Sequence, residues 1–162
     1  MRRSTVVVLG IAIALAGSAG AQELNFEDLW PGQEGSGPLP DPYQGFTLTD
    51  GVPYVPWWVT RYAAGPSGYQ NTIEGRVGVS STLNGLQMRF TRAVPFDVGT
   101  IKIGAAWNDD QWVRILGLRG DEVVDGVWTG VDYAGERVAL NFAGITTLAI
   151  VPDLLTGVDH DP

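Results

Sequence analysis

The segment Ile101-Lys-Ile-Gly-Ala-Ala-Trp107 decides the fold class, because apolar residues occupy its odd-numbered positions and therefore share one face. The same alternation recurs in Leu86-Gln-Met-Arg-Phe-Thr91 and in Arg137-Val-Ala-Leu-Asn-Phe142. A period of two is typical of an antiparallel strand with one buried face and one solvated face. No stretch after residue 21 keeps helical apolar spacing for three turns, so the pattern predicts a protein built from strands.

Short turn sequences separate the predicted strands. Asp50-Gly51, Asn84-Gly85, Gly120-Asp121 and Asp125-Gly126 all contain residues that tolerate a positive φ angle. Residues 30–42 are rich in glycine and proline, and we interpret them as a long surface loop after the first strand. Roughly nine or ten short strands remain, which favours two packed antiparallel sheets. We therefore predict an all-β, two-sheet jelly-roll β-sandwich.

The N-terminus has the layout of a secretory signal. Arg2 and Arg3 precede an apolar run over residues 5–16, and Ala19-Gly20-Ala21 supplies the small residues that signal peptidase requires. The apolar run is shorter than the about 20 residues that a membrane-spanning helix needs. We predict a signal peptide at 1–21, a β-sandwich domain at 22–151 and a flexible tail at 152–162. The mature protein is then secreted and has no transmembrane anchor.

The composition argues against several classes of function. The chain has 18 acidic and 10 basic residues, and loss of Arg2 and Arg3 would leave eight basic residues and a net charge of −10. Such a chain repels phosphates, which argues against nucleic-acid binding and against an anionic membrane surface. There is no cysteine, and the single histidine is His160 near the C-terminus. Thiol chemistry is therefore absent, and a histidine-based triad or zinc site is disfavoured.

Five short motifs follow one another along the chain: Asn25-Phe-Glu-Asp-Leu29, Pro42-Tyr-Gln-Gly-Phe46, Gly65-Pro-Ser-Gly-Tyr-Gln-Asn71, Ala105-Ala-Trp-Asn-Asp109 and Leu140-Asn-Phe-Ala-Gly-Ile145. This ordered set resembles a group of small exported bacterial β-sandwich proteins, many of which end in a PEP-CTERM sorting signal. The fold of this group is similar to galactose-binding-like domains, so the resemblance implies a galactose-binding-like jelly roll and export. The present sequence has no C-terminal apolar span with a basic tail.

The same resemblance implies a structural calcium ion. In galactose-binding-like sandwiches such an ion often lies where the first strand meets the last. By this resemblance Glu27 and Asp28 are expected ligands, with Asp159 and Asp161 as contributors from the tail. Calcium takes about six to eight oxygen ligands without strict geometry, which suits such a set. The alternative is that these carboxylates are solvated surface charges.

Aromatic residues are concentrated between positions 54 and 69. Sugar rings lay their C–H faces on aromatic rings, and their hydroxyl groups pair with planar polar side chains. Because Trp57 and Trp58 are adjacent, a strand would point them to opposite faces. We predict a sugar-stacking patch made by one of them with Tyr62 or Tyr69; the alternative is that both tryptophans are covered. The candidate ligand-binding residues are Trp57, Trp58, Tyr62, Tyr69 and Asn71.

Three of the other four tryptophans, Trp107, Trp112 and Trp128, are expected in the core. A carboxylate pair for glycoside hydrolysis would come from Glu27, Asp28, Asp109 and Asp110. We interpret the last two as turn residues instead. The sequence thus predicts a secreted, non-catalytic module that binds carbohydrate or an extracellular matrix glycan. The open alternatives are a structural or adhesive exoprotein and a carboxylate-dependent glycosidase or polysaccharide lyase.

Overall fold

The computed structural model of the full-length chain describes residues 7–10, 13–15, 22–24, 26–48, 56–63, 67–80, 87–106, 108–153 and 158–159. Strands account for nearly all regular structure in these ranges. The helical elements are a 3₁₀ turn at Glu27–Leu29 and the helix α1 at Gly68–Thr72. The strands are β1 Val7–Gly10, β2 Ile13–Leu15, β3 Gln22–Leu24, β4 Ser36–Pro38, β5 Trp57–Thr60, β6 Val77–Ser80, β7 Met88–Ala105, β8 Asn108–Asp109, β9 Gln111–Arg119, β10 Glu122–Val131, β11 Glu136–Pro152 and β12 Val158–Asp159.

The hydrogen-bonded strand order is β10-β9-β11-β7-β1-β6-β5-β4, and two further pairs are formed by β12 with β8 and by β2 with β3. Every described pair is antiparallel. The prediction of an all-β antiparallel fold is therefore confirmed.

Strands β7 and β11 are the longest strands in the described ranges, and they pair with each other near both ends. They are 18 and 17 residues long, and their shared ladder shifts register three times between Ala139 and Thr147. Asn141 and Gly144 have positive φ angles of 54° and 62° at these shifts. Bulges bend a strand and let it cross from one sheet to another at a corner. The prediction of short strands does not hold for β7 and β11, because each strand continues through the irregular part of their shared ladder.

The alternating residues face the interior as predicted. Ile101 and Ile103 are fully buried, and Met88 and Phe90 are buried from the other end of the same strand. Residues 138, 140 and 142 of β11 are buried as well. Phe46 adds edge-to-face contacts with two other phenylalanines, at ring-centroid distances of 6.3 and 5.2 Å. Both layers therefore contribute to one core.

Turn predictions had mixed outcomes. Gly120 has a φ angle of 61° and forms the β9–β10 turn with Asp121, as expected. Asp125-Gly126 lies inside β10 instead, next to a register shift between Val123 and Asp125, because the residues that were predicted as a turn belong to a β-bulge. Residues 30–42 include β4, which pairs with β5, so this region is not a loop throughout. Asp50-Gly51 and Asn84-Gly85 lie outside the described residues.

Both ends of the chain contribute short strands. In the full-length chain β1 lies between β7 and β6, and β2 pairs with β3, which begins at Gln22. At the other end Val158 and Asp159 pair with Asp109 and Asn108. In the ranges that the structure describes, no helix is long and apolar enough to cross a membrane.

Candidate functional site

The outer face of β9 exposes a large aromatic side chain. Val113 and Ile115 are fully buried in the core. Trp112 and Arg114 alternate with them along β9, so their side chains point to the opposite side of the strand. Trp112 is 42% exposed. Its backbone carbonyl accepts hydrogen bonds from the Asp153 N–H at 2.8 Å and from the Gln111 side-chain amide at 3.0 Å. These two hydrogen bonds fix the backbone from which the Trp112 side chain projects.

Strand β10 presents a second tryptophan on the same face. In the β9–β10 ladder Trp128 pairs with Arg114, and Gly130 pairs with Trp112. Trp128 is 62% exposed, and its ring meets that of Trp112 edge to face, with centroids 6.0 Å apart and planes at 87°. The prediction that Trp112 and Trp128 are core residues was wrong. Trp112 alternates with buried residues of β9, and Trp128 lies between the half-buried Val127 and Thr129 of β10, so both rings face solvent.

Glycines keep the surroundings of these rings open. A Cβ atom on Gly130 would stand 3.9 Å from two carbons of the Trp112 indole, so this ring lies over the backbone of β10. Gly126, two residues from Trp128, lies opposite Leu116 in the ladder. We call the exposed surface formed by Trp112, Trp128, Arg114, Gly126 and Gly130 the tryptophan face.

Arg114 supplies the polar group of the tryptophan face. It is exposed, and within the described ranges it forms no ion pair with a carboxylate. A guanidinium group carries five N–H donors in a planar fork. A ligand that stacks on Trp128 would therefore meet uncommitted donors on the adjacent strand.

The predicted aromatic patch is only partly assembled. Trp57 and Trp58 point to opposite sides of β5, as expected: Trp57 is 41% exposed, whereas Trp58 is half-buried and packs on the core. The indole of Trp58 lies so close to Gly37 that a Cβ atom there would stand 2.9 Å from it. Trp58 is therefore a packing residue, and Trp57 is the ring that solvent reaches.

Tyr62 and Tyr69 have different environments. Tyr62 is 57% exposed, and the Arg61 guanidinium lies 5.7 Å from its ring centroid. Tyr69 is 7% exposed and packs in a small core cluster with Val59 and Ile73. Burial raises the pKa of the Tyr69 hydroxyl, and a hydrogen bond with Ser80 offsets part of that rise. Tyr69 has no open ring face, so of the two tyrosines predicted as alternative stacking residues, Tyr62 is the one that presents its ring to solvent.

Asn71 connects α1 to a neighbouring turn. Its side-chain amide donates to the Tyr133 carbonyl at 2.9 Å, and its backbone carbonyl accepts a 2.6 Å hydrogen bond from the Lys102 ammonium. Among the described residues no ring contact joins Trp57 to Tyr62 or Tyr69. The structure therefore gives no evidence that the five predicted residues form one surface.

The Glu27 carboxylate is surrounded by hydrogen-bond donors. Its Oε1 accepts from the backbone N–H groups of Arg76 at 2.7 Å and Val77 at 3.0 Å, and its Oε2 accepts from the Arg76 side chain at 3.1 Å. Partial burial raises the pKa of Glu27, but these hydrogen bonds and the Arg76 charge outweigh it, and the pKa lies below its ordinary value. The Glu27 carboxylate thus accepts from two backbone N–H groups and one guanidinium, and this environment does not favour the binding of a cation.

The other predicted calcium ligands are spread over the chain. Asp28 accepts a hydrogen bond from the Tyr43 hydroxyl, and the backbone of Asp159 lies in β12. Asp161 lies outside the described residues, as do the side chains of Asp159 and Asp109. Within the described part of the chain, no three carboxylate or imidazole side chains come together in a way that could hold a metal ion. Calcium binding stays a prediction.

The remaining sequence candidates belong to the β8 region. Asp110 is exposed and has a φ angle of 57°, which suits the turn that we predicted for it. Trp107 lies outside the described residues. Comparison of the chain with protein-family models, with curated proteins and with solved structures finds no match.

Proposed function

We propose that this protein is a secreted, non-catalytic module that binds a neutral polysaccharide through the tryptophan face. The observation that carries the proposal is the exposed Trp112–Trp128 pair, whose rings meet edge to face on the solvent side of β9 and β10. The outer face of a strand normally carries polar residues, and adjacent exposed indoles are a feature of ligand and partner sites.

Sugar chemistry fits this surface. The apolar C–H face of a sugar ring lies flat on an indole, and tryptophan loses little conformational entropy on binding because it has only two χ angles. Both indoles are also ordered before a ligand binds. A hydrogen bond from the Asp153 N–H fixes the backbone carbonyl of Trp112, and the Trp128 ring packs against the Trp112 ring. Preorganisation of this kind lowers the entropic cost of binding.

Charge favours a neutral polymer over an acidic one. The full chain carries a net charge of −8, which repels polyanions over the distance of a Debye length. Arg114 provides local hydrogen-bond donors for sugar hydroxyl groups beside Trp128 without changing that overall balance. The proposed ligand is therefore a chain of uncharged sugars.

Secretion rests on the N-terminal pattern of two arginines, an apolar run and small residues. Strand β3 begins at Gln22, the first residue of the predicted mature chain, and pairs with β2 of the predicted signal peptide, so cleavage after Ala21 would remove its described partner.

Affinity electrophoresis tests the proposal. The exported protein is run through native gels with and without a neutral polysaccharide such as xylan or galactomannan, and with an acidic one such as alginate. We expect retardation in at least one neutral gel, and its loss in Trp112→Ala and Trp128→Ala, because truncation of a tryptophan anchor at a binding surface commonly costs about 2 kcal/mol or more.

Trp57→Ala is the matched control, since it also removes an exposed indole but lies on β5, away from the tryptophan face. This variant should keep its retardation, and melting temperatures should confirm that all three variants fold. Retardation that is lost in Trp57→Ala but kept in Trp128→Ala would move the site to β5. A change of oligomeric state in Trp128→Ala, without any effect on mobility in polysaccharide, would show a protein–protein contact instead.

A further inference from the structure

Strand β1 occupies an interior position of the main sheet. Val8 and Leu9 pair with Ser80 and Val79 of β6 on one side, and residues 7–10 pair with residues 105–102 of β7 on the other. Among the strands that the structure describes, none besides β1 connects β6 to β7. The β4–β6 group is therefore joined to the rest of the sheet only through β1 within the described ladders.

The same four residues belong to the predicted signal peptide, so this inference rests on the secretion that we propose. Cleavage after Ala21 would remove both β1 and β2. The backbone N–H and C=O groups of β6 and β7 that face β1 would then lose their partners. Val79 and Ile103, which pair with Leu9 from either side, are fully buried while β1 is in place. Without β1, two strand edges would face a gap one strand wide, and unpaired edges of this kind are templates for an added strand.

Direct closure of the gap meets a geometric obstacle. Because β6 and β7 are each antiparallel to β1, they run parallel to one another. Closure would place one parallel pair in an otherwise antiparallel sheet and would move β4, β5 and β6 by one strand spacing, about 4.8 Å. Val59 of β5 packs with Tyr69 and Ile73 of the α1 region, and this contact would be lost.

We propose that in the exported protein a strand from another polypeptide occupies the position of β1, paired antiparallel with both β6 and β7. Addition of an extended segment to exposed strand edges is an established mode of peptide recognition. The neighbours define the chemistry of this partner. All four residues of β6 are buried, so the segment has consecutive apolar residues and not an alternating pattern. The sequence Val7-Val-Leu-Gly10 meets this requirement.

The experiment uses the exported protein and a synthetic peptide. Intact mass establishes whether the exported chain begins at Gln22. A fluorescent peptide with the sequence of residues 5–10 and a solubilising lysine tail is then titrated into it, and fluorescence anisotropy reports binding. We expect saturable one-to-one binding, with slower amide hydrogen exchange at Val79 and Ile103 in the complex.

Two controls make the result specific. The same peptide with N-methyl groups at the residues equivalent to Val8 and Leu9 keeps its side chains but cannot form the ladder, so it should bind at least tenfold more weakly. The uncleaved full-length chain, produced without export, already contains β1 and should not bind the peptide. Retention of residues 1–21 after export, absence of peptide binding, or equal binding of the N-methylated peptide would each overturn the inference. None of these outcomes depends on the tryptophan face.

Discussion

Gly130 lies directly across the β9–β10 ladder from Trp112, and a Cβ atom at position 130 would stand 3.9 Å from two carbons of the indole. The Trp112 ring thus leaves room for a Cβ atom at position 130, whereas a larger side chain there would press on the indole. This difference allows the tryptophan face to be altered without the removal of either indole.

Gly130→Val should weaken polysaccharide binding by about tenfold, the effect of roughly 1.4 kcal/mol, because the valine methyl groups occupy the space under the Trp112 ring. Stability should change little, since valine is favourable in strands. Gly130→Ala is the control, because its Cβ makes an ordinary van der Waals contact at 3.9 Å. Gel retardation and thermal melting of both variants test this prediction, and equal affinities of the two variants would contradict it.

Gly37→Ala should destabilise the protein by about 1–3 kcal/mol through overpacking against Trp58. A Cβ atom there would lie 2.9 Å from the indole, whereas a Cβ atom on Gly35 would lie 3.9 Å from it. Gly35→Ala should therefore be close to neutral. Urea denaturation measures both variants. In a Trp58→Ala background the cost of Gly37→Ala should largely disappear, and a persistent cost would argue against the contact.

Glu27 should make stability depend on pH on the acid side. Its pKa is lowered in the folded state, so its contribution is complete above the unfolded-state pKa of about 4.3 and is lost as the pH falls through the folded-state value. Glu27→Ala should cost about 2 kcal/mol at pH 7, because charge-assisted hydrogen bonds to Arg76 and Val77 are removed. Denaturation at pH 7 and pH 3 should show the difference from wild type shrinking at the lower pH. A difference that is independent of pH would contradict this explanation.

Substitution by alanine should have opposite effects on stability at Ser67, which precedes α1, and at Gly68, its first residue. A Cβ atom on Gly68 would stand 1.8 Å from the Ala105 carbonyl oxygen, so Gly68→Ala forces backbone movement and should cost more than about 2 kcal/mol. The Ser67 hydroxyl is buried and has no hydrogen-bond partner in the described structure. Ser67→Ala should therefore be neutral or stabilising. Chemical denaturation compares them, and destabilisation by Ser67→Ala would reveal a partner for its hydroxyl.

Local alternation predicted the faces of individual strands correctly. Ile101, Ile103 and Leu140 are buried because the two-residue period is a property of the backbone and needs no tertiary information. The same rule could have identified Trp112 as exposed, since it shares a face with Arg114 and alternates with Val113. The size of a tryptophan favours burial in general, but at position 112 the two-residue period is the better guide to the side chain's location.

Long-range register was beyond the sequence. The edge-to-face contact of Trp112 with Trp128 depends on the β9–β10 pairing, which includes a shift between Val123 and Asp125 that no local pattern indicates. In the same way, Glu27 accepts a hydrogen bond from the backbone N–H group of Val77, which lies 50 positions further along the chain. Such contacts follow from how strands align, and alignment is a property of the whole sandwich.

The continuity of β7 and β11 has a thermal consequence. Strand β11 is hydrogen-bonded to β7 along both of its halves and to β9 along its C-terminal half, so the ladders at the two ends of these strands should not melt independently. The molecule should behave as a single cooperative unit. A sugar chain seated at one edge would then raise the heat tolerance of the opposite edge too, because the bound state stabilises the fold as a whole.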